Sequence, residues 1–467
     1  MNRRLKLGLL ILLTFCGHIA LAYFTKRNES LQLFGLFGGL FLIYLLFVKE
    51  KWSSKELKWL LAGSLALRLL WVFSVPQLSD DWARFVWDGR LSAAGFNPFI
   101  HLPSELIKGG LPGSNVADLA LYNALNSQHY FTVYPPVLQG MFAFASWLSP
   151  DSIYWNVVVL KSFIFLGECG TISLLIKICN RWKLSPNKAL LYALNPLVIA
   201  ELCGNVHHEG VVLFFVLAAI YSLDKLYGIK KHNQETPTST ALPLNTWFWL
   251  AAISFSASVD TKLLPLVFVP LIFFWMGFRR GLPFFLISAC LFLLSWFPFV
   301  NKELVFHAGS SMGLYFNHFE FNGSVYFVFS KLLVPYKYKE LIAPLLGLCS
   351  GILILLYSLK SMKGFTAADF PKHFCIILGI YFAFAAVVHP WYIVPLIGLS
   401  VFSNLKFPVI WSVMIVGSYY TYRSLPYEVS NVQLLLEYFI LIAAILWDIS
   451  LQREPQKKPL NKSEPKL

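Results

Sequence analysis

Long apolar runs recur along the whole chain of 467 residues and constrain its fold more than any other feature. A run of about 20 apolar residues is long enough to cross the hydrocarbon core of a bilayer as a helix. Apolar residues make up 57% of the sequence and charged residues only 13%, whereas an ordinary soluble domain has about 25% charged residues. The sequence therefore predicts an all-α, polytopic transmembrane helical bundle.

About fourteen spans fit the apolar runs, so residues 1–451 are expected to form a single transmembrane domain. The predicted spans are 6–24, 31–48, 57–76, 153–178, 187–203, 208–224, 244–259, 262–278, 282–299, 340–359, 372–388, 391–404, 406–421 and 432–449. Two further apolar stretches, 134–149 and 324–335, are expected to be interfacial or half-membrane helices. If either stretch crossed the membrane, the basic cluster that follows it, at 177–188 or at 360–363, would lie on the outer side.

The basic residues predict the orientation of the spans, because Lys and Arg concentrate in cytoplasmic loops of membrane proteins. They cluster between alternate spans, at 3–6, 49–58, 177–188, 225–231, 279–280 and 360–363 and in the tail 453–466. Both termini are therefore expected in the cytoplasm, with the chain in the inner (cytoplasmic) membrane. The segment 232–243 is expected to be a flexible linker and 452–467 a disordered basic tail that contacts membrane lipids. Since positive-inside clusters account for the net charge of +14, no nucleic-acid partner is predicted.

The outer loop 77–152 is the longest region without a span, and its segment 79–90 (SDDWARFVWDGR) is unusually rich in charge. In a helix, Asp81, Arg84 and Asp88 would share one face and the apolar side chains of the segment would lie opposite. We expect an interfacial helix with a charged stripe toward a cavity. A self-neutralising exposed helix is the alternative, because its charges also stand at i, i+4 spacing.

Other polar residues are concentrated in turns on the same predicted outer side. Most of the ten histidines belong to this group: His101, His129, His207, His208, His307, His318 and His389. The simplest interpretation is one outward-opening polar cavity lined by turns from many spans. No metal site is predicted, because adjacent residues such as His207 and His208 do not share a helix face. The seven cysteines form no CxxC pair, so neither a zinc site nor a disulfide framework is indicated.

Two charged residues, Arg68 and Glu168, lie inside predicted spans. Charges in the bilayer are costly and usually paired. Pairing with each other is one interpretation, and a functional role is as well supported.

Residues 79–99 (SDDWARFVWDGRLSAAGFNPF) resemble the signature of bacterial membrane glycosyltransferases of the GT-C superfamily, in particular the polyprenyl-phosphate-mannose-dependent mannosyltransferases. Further motifs similar to that group follow in the same order at 134–139 (YPPVLQ), 195–209, 319–324 and 389–392. Trp82 and Phe85 stand where tyrosine-type residues are expected, and Glu209 replaces Asp. These changes keep the chemical type and bear mainly on substrate choice.

The resemblance implies an integral membrane glycosyltransferase that moves a hexose, expected to be mannose, from a polyprenyl-phosphate sugar to an acceptor hydroxyl. The acceptor is a lipid, glycan or protein, and transfer occurs on the extracytoplasmic side with inversion. Asp80 and Asp81 match the position of the catalytic base. The residues leave the choice open, with a preference for Asp81. No cofactor is implied, although a divalent cation could bind at Asp80 and Asp81.

The resemblance also suggests roles for residues outside the aspartate pair. The phosphate leaving group needs positive charge, and the candidate phosphate ligands are Arg84, Arg90, Lys262 and Lys161. The candidate substrate-binding residues are Asp88, Tyr134, Asn205, His207, Glu209, Glu320, Asn322, His389 and Trp391.

Two other functions share many of these features. A transporter or flippase of lipid-linked saccharides would also have many spans, but it should show repeated halves and charges reachable from both sides. A polymerase or ligase that moves glycans from a pyrophosphate carrier would share the outer site, and more outer arginines would be expected there. Polarity on one side only favours an enzyme.

Overall fold

The computed structural model describes residues 3–109, 118–228, 244–360, 364–424 and 427–453. Across these ranges the chain is helical and forms no strand, apart from isolated bridges that join Phe321 and Asn322 to Val387. The expected linker at 232–243 and residues 454–467 of the expected tail lie outside the described residues. The prediction of an all-α membrane bundle is confirmed.

The helices follow one another along the chain with short connections. They are α1 Arg3–Phe24, α2 Ser30–Lys49, α3 Ser54–Val72, α4 Asp81–Ala93, α5 Pro103–Gly109, α6 Leu119–Ala124, α7 Pro136–Leu148, α8 Ile153–Arg181, α9 Leu190–Ala193, α10 Pro196–Ile199, α11 Glu209–Tyr227, α12 Thr246–Thr261, α13 Val269–Met276, α14 Phe278–Trp296, α15 Leu304–His318, α16 Ser324–Val328, α17 Lys339–Lys360, α18 Phe370–Phe384, α19 Val394–Ser400, α20 Phe407–Met414 and α21 Asn431–Arg453.

Eight helical segments of the described chain are long and apolar enough to cross a membrane. They are Leu5–Phe24, Ser30–Lys49, Ile153–Arg181, Glu209–Tyr227, Phe278–Phe299, Lys339–Lys360, Ala367–Phe384 and Asn431–Gln452. The other predicted spans coincide with α3, α12 or runs of short helices that begin at or next to a proline, such as α10 at Pro196 and α20 at Pro408. Proline removes a backbone donor and clashes with the preceding turn, which divides these segments.

The predicted interfacial stretches form short helices. Residues 134–149 give α7, and 324–335 give α16 with a following π turn at Phe329–Leu333. Helix α7 packs against α4 at Gly89, where an added Cβ would lie 2.3 Å from the carbonyl oxygen of Phe142. Only glycine permits so close a crossing. This contact fixes the helix that begins at Asp81 against the bundle.

The turns of the bundle fall into two groups at opposite ends of the helices. At the end where α3 begins, Asn187 hydrogen-bonds to the backbone of Trp52, and Lys188 donates to Asn404. At the end where α3 finishes, the backbone N–H of Leu78 donates to Asn205 at 3.2 Å. The basic turn at Lys188 therefore lies at one end of the helices, and the polar turn at Asn205 lies at the other.

The two charges inside the spans pair with each other, as one interpretation of the sequence proposed. Arg68 Nε lies 2.8 Å from Glu168 Oε2, and both side chains are fully buried. Arg68 also donates to the carbonyl oxygen of Ala193 at 2.7 Å, and the hydroxyl of Tyr192 donates to Glu168 at 2.6 Å. This network joins α3, α8 and the turn at α9 below the polar end.

Candidate active site

Asp81 occupies the first position of α4 at the polar end of the bundle. Its carboxylate accepts a hydrogen bond from Asn126 at 2.8 Å and lies 3.8 Å from Nε2 of His207, with 25% of the side chain exposed. Burial raises the pKa of Asp81, but His207 and Asn126 outweigh it and lower the pKa to about 2. Asp81 is therefore an ionised, solvent-reachable carboxylate at neutral pH.

Asp80 points to a different partner although it is the neighbouring residue. Its carboxylate pairs with Arg27 of the α1–α2 connection at 2.6 Å, and 43% of the side chain is exposed. The i,i+4 pair with Arg84 that the sequence suggested is not the contact that Asp80 makes. The structure therefore separates two aspartates that the sequence alone could not distinguish.

His207 is held by a carboxylate that the sequence did not single out. The buried Glu201 accepts hydrogen bonds from the Tyr419 hydroxyl and from Asn205 Nδ2, and its Oε2 lies 2.9 Å from His207 Nδ1. Burial lowers the pKa of His207, but Asp81 and Glu201 together raise it above its usual value. Glu201 lies in the short π-helical turn Ala200–Gly204, a feature common at functional sites.

Trp391 lies between two histidine rings. Its indole stacks on His207 with centroids 3.6 Å apart, and on His389 with centroids 4.3 Å apart and planes at 5°. Phe321 extends this stack by packing against His389, with ring centroids 4.5 Å apart. Both faces of Trp391 are thus covered, so only the edge of its indole is left for a sugar.

His389 presents a neutral ring to this region. Burial lowers the pKa of His389 to about 3, and its buried Nδ1 has no hydrogen-bond partner within the described ranges. Burying an unpaired polar atom costs free energy. A substrate hydroxyl is one group that would satisfy this nitrogen.

Lys262 brings a cation to the same cluster. Its ammonium group forms an ion pair with Glu209, the first residue of α11, and lies 5.6 Å from the ring centre of Tyr392. That tyrosine packs edge-on against His389, with centroids 5.3 Å apart. Asp81, His207, His389 and Lys262 are therefore connected at the polar end of the bundle by a chain of contacts that passes through Trp391 and Tyr392.

Asn322 follows Phe321, the last ring of the His207–Trp391–His389–Phe321 stack. It adopts a left-handed backbone conformation, with φ of +55°, and its side chain donates to Glu437 at 2.9 Å. Phe321 exchanges backbone hydrogen bonds with the 386–388 segment, at 3.1 Å to Ala386 and 2.8 Å from Val388. Through these bonds α21 positions the loop that carries Phe321. The sequence did not predict this role for Glu437.

The charged stripe expected on α4 is buried beyond Asp81, because Arg84 and Asp88 make contacts within the protein. Arg84 Nε bonds Asp88 at 2.7 Å and Arg84 Nη1 donates to the carbonyl oxygen of Tyr130 at 2.7 Å. Asp88 also accepts from Thr132 at 2.5 Å and from Gln139 at 3.3 Å. Both charges are buried and bind the loop before α7, so they hold α4 in place.

The remaining predicted residues also make contacts within the protein. Lys161 is buried and donates to the Ser74 carbonyl oxygen at 2.6 Å, which secures the end of α3. Arg90 pairs with Asp118 at 3.2 Å, and Glu320 with Lys331 at 3.5 Å. Tyr134 packs edge-on against Phe85 with centroids 5.0 Å apart. None of these contacts joins the Asp81 cluster directly.

A metal site can be sought among the same side chains. Among the described residues, no group of three or more His, Cys, Asp or Glu side chains is placed to hold a metal ion. The sequence suggested Asp80 and Asp81 as a possible site for a divalent cation. In the structure Asp80 pairs with Arg27, and Asp81 contacts Asn126 and His207. The expectation of a cation there stays untested.

Comparison of the sequence with known proteins places the chain in a family. The family model described as "Alpha-(1->6)-mannopyranosyltransferase, N-terminal domain" matches residues 15–277, more than half of the chain. The chain belongs to this family. Membership in this alpha-(1->6)-mannopyranosyltransferase family confirms the resemblance found in the sequence. The match includes Asp81, Glu201, His207 and Lys262, whereas His389 and Trp391 lie beyond it.

A relative supports the assignment over a shorter stretch. The protein "Alpha-(1->6)-mannopyranosyltransferase B" of Corynebacterium glutamicum is 25% identical to this mannopyranosyltransferase family member over 150 residues. The alignment covers 32% of this chain and 24% of the relative. The chain thus spans about a quarter of the full length of that relative.

Proposed function

We propose that this protein transfers mannose from a polyprenyl-phosphate donor to an acceptor hydroxyl at the non-cytoplasmic membrane face, with inversion. The observation that carries the proposal is the position of Asp81, an ionised and partly exposed carboxylate beside the His207–Trp391–His389 stack. Membership in a mannopyranosyltransferase family supports mannose as the sugar.

Asp81 acts as the general base in this reaction. The acceptor hydroxyl gives its proton to the Asp81 carboxylate, and the hydroxyl oxygen bonds to the anomeric carbon of the mannose. The bond from that carbon to the phosphate oxygen breaks, and polyprenyl phosphate leaves with the electron pair. A single displacement of this kind inverts the anomeric configuration. General-base catalysis typically contributes about 10²–10⁴-fold to the rate.

Neighbouring groups orient the sugar and balance charge. His389 Nδ1 is available to a sugar hydroxyl, and Lys262 places an ammonium group near the developing negative charge. His207 supports the ionised form of Asp81 while Glu201 holds the ring. Correct placement of reactants is itself a large part of catalysis.

The polar end of the bundle is proposed to face away from the cytoplasm. The Lys188 and Lys406 turns lie at the opposite end, and positively charged loops prefer the cytoplasmic side. Labelling of intact cells with a membrane-impermeant thiol reagent tests the orientation. His129→Cys in the outer loop should react and Lys51→Cys at the basic end should not, and the reverse pattern would place the site in the cytoplasm.

The activity is tested by incubating membranes with labelled polyprenyl-phosphate-mannose and following label into the acceptor. Asp81→Asn should reduce transfer at least ~100-fold, because the base is lost. Asp80→Asn should retain more activity, and Asp151→Asn, at an exposed outer aspartate, should match the native protein. Transfer by Asp81→Asn and by the Asp80/Asp81 double variant that equals transfer by the native protein would reject the assigned base. Movement of intact donor without transfer would favour a flippase.

A further inference from the structure

Arg27 reaches the site from the connection between α1 and α2, far in sequence from the motifs of the outer loop. Its Nη2 lies 2.6 Å from Asp80 Oδ2 and donates to the Tyr427 hydroxyl at 2.8 Å. The guanidinium carbon lies 4.9 Å from the ring centre of Tyr422 and 5.5 Å from that of Tyr427. The side chain is 20% exposed, so its group is fixed yet reachable.

The bonds of Arg27 use only one of its three nitrogens. Within the described ranges, Nε and Nη1 have no protein acceptor. A guanidinium group offers parallel N–H donors that match two oxygens of a phosphate. Arg27 therefore presents an oriented, unused edge suited to a phosphate group.

The other basic residues considered for the phosphate are less available. Arg84 is buried in bonds to Asp88 and Tyr130, and Lys161 is buried against the end of α3. Arg90 pairs with Asp118, away from the cluster. Lys262 is at the site, but its ammonium group is already paired with Glu209.

We infer that Arg27 binds the phosphate of the prenyl-lipid donor and that Asp80 positions it, an assignment that rests on the proposed function. An in-line displacement needs the base and the leaving group on opposite sides of the anomeric carbon. The adjacent side chains of Asp80 and Asp81 contact different partners, Arg27 and His207. This divergence allows the phosphate and the acceptor hydroxyl to bind at separate places around one sugar.

Binding of labelled undecaprenyl phosphate to the full-length, detergent-solubilised protein tests the inference without requiring transfer. Arg27→Gln should weaken binding about 10- to 100-fold, the range expected for hydrogen bonds to a charged group. Arg27→Lys should recover part of it, because lysine keeps the charge and loses the two-point geometry. Arg423→Gln is the matched control, since this exposed arginine also stacks on a tyrosine, 4.0 Å from the ring of Tyr420.

The outcomes separate the inference from the proposed function. Unchanged binding and an unchanged KM for the donor in Arg27→Gln, with an unaltered melting temperature, would overturn the role of Arg27 even if mannose is transferred. If the native protein binds undecaprenyl phosphate through Arg27 and transfers no mannose, the sugar assignment fails and the phosphate site stands. Equal competition by phosphatidylglycerol or inorganic phosphate would also overturn it, because the site would then not recognise the prenyl phosphate.

Discussion

His207 and Trp391 stack face to face, with ring centroids 3.6 Å apart and planes inclined by 17°. The opposite face of Trp391 carries His389 at 4.3 Å. One indole therefore sets the spacing between two imidazoles from distant turns. One of these imidazoles lies 3.8 Å from Asp81, and the other has a buried Nδ1 with no hydrogen-bond partner among the described residues.

Removing this spacer should disturb catalysis more than folding. We expect Trp391→Ala to lower transfer about 100-fold, because displacing a positioned group by about 1 Å can cost that much. Trp391→Phe should lose less, since a ring remains between the histidines. Single-turnover rates with labelled donor measure the effect. Trp147→Ala, at a tryptophan that is 68% exposed, is the control, and full activity of Trp391→Ala would disprove the positioning role.

Glu201→Gln should change how stability depends on pH. The raised pKa of His207 means that its protonation stabilises the fold fully below the unfolded value of about 6.5 and that this contribution is lost as pH rises through the folded pKa. Glutamine removes one carboxylate, so the folded pKa of His207 should fall, and the loss of stability with rising pH should be smaller and complete at lower pH. Melting temperatures between about pH 6 and pH 9 report the shift.

His207→Gln provides the reference for that measurement, because it removes the titrating ring. In this background Glu201→Gln should leave the pH dependence unaltered. A shift that persists without His207 would mean that another group is responsible.

Gly89→Ala should separate α4 from α7. The added methyl would lie 2.3 Å from the Phe142 carbonyl oxygen and 2.6 Å from Ser146 Oγ, and such overpacking typically costs about 1–3 kcal/mol. Gly140→Ala is the matched control in α7, because a Cβ there meets nothing within 4 Å. It should be neutral or slightly stabilising, since alanine favours helix. Thermal unfolding in detergent compares the two, and equal melting temperatures would contradict the tight crossing.

The buried pair of Arg68 and Glu168 should show strong coupling. Arg68→Met alone leaves an uncompensated carboxylate and should cost about 3–5 kcal/mol, whereas adding Glu168→Leu should recover much of that loss. A double-mutant cycle on thermal stability measures the coupling. Additive losses would show that the two side chains act independently.

The sequence predicted the helices better than it predicted the partners of its polar residues. Helix periodicity placed Asp81 at the start of an amphipathic helix, and the apolar runs located the long spans. The same periodicity grouped Arg84 and Asp88 with Asp81, yet both are buried against the loop before α7. Spacing along a helix defines a shared face but not which loop will cover part of it.

The residues that sequence reasoning missed come from long-range contacts. Arg27 and Asp80 are 53 positions apart, and Glu201 meets Tyr419 across 218 positions. No local pattern links such pairs. Two signals were available for Glu201: it lies inside the 195–209 motif, and it is a carboxylate in an apolar run, where buried charges rarely lack a role.

The contacts around the site close into a circuit. From Asp81 they run through His207, Trp391, His389, Phe321, Tyr422 and Arg27 back to Asp80, the neighbour of Asp81. During synthesis the circuit can join up only after position 422 has left the ribosome. A nascent chain that ends at residue 277 would carry both aspartates but would lack Phe321, His389, Trp391 and Tyr422 of this circuit.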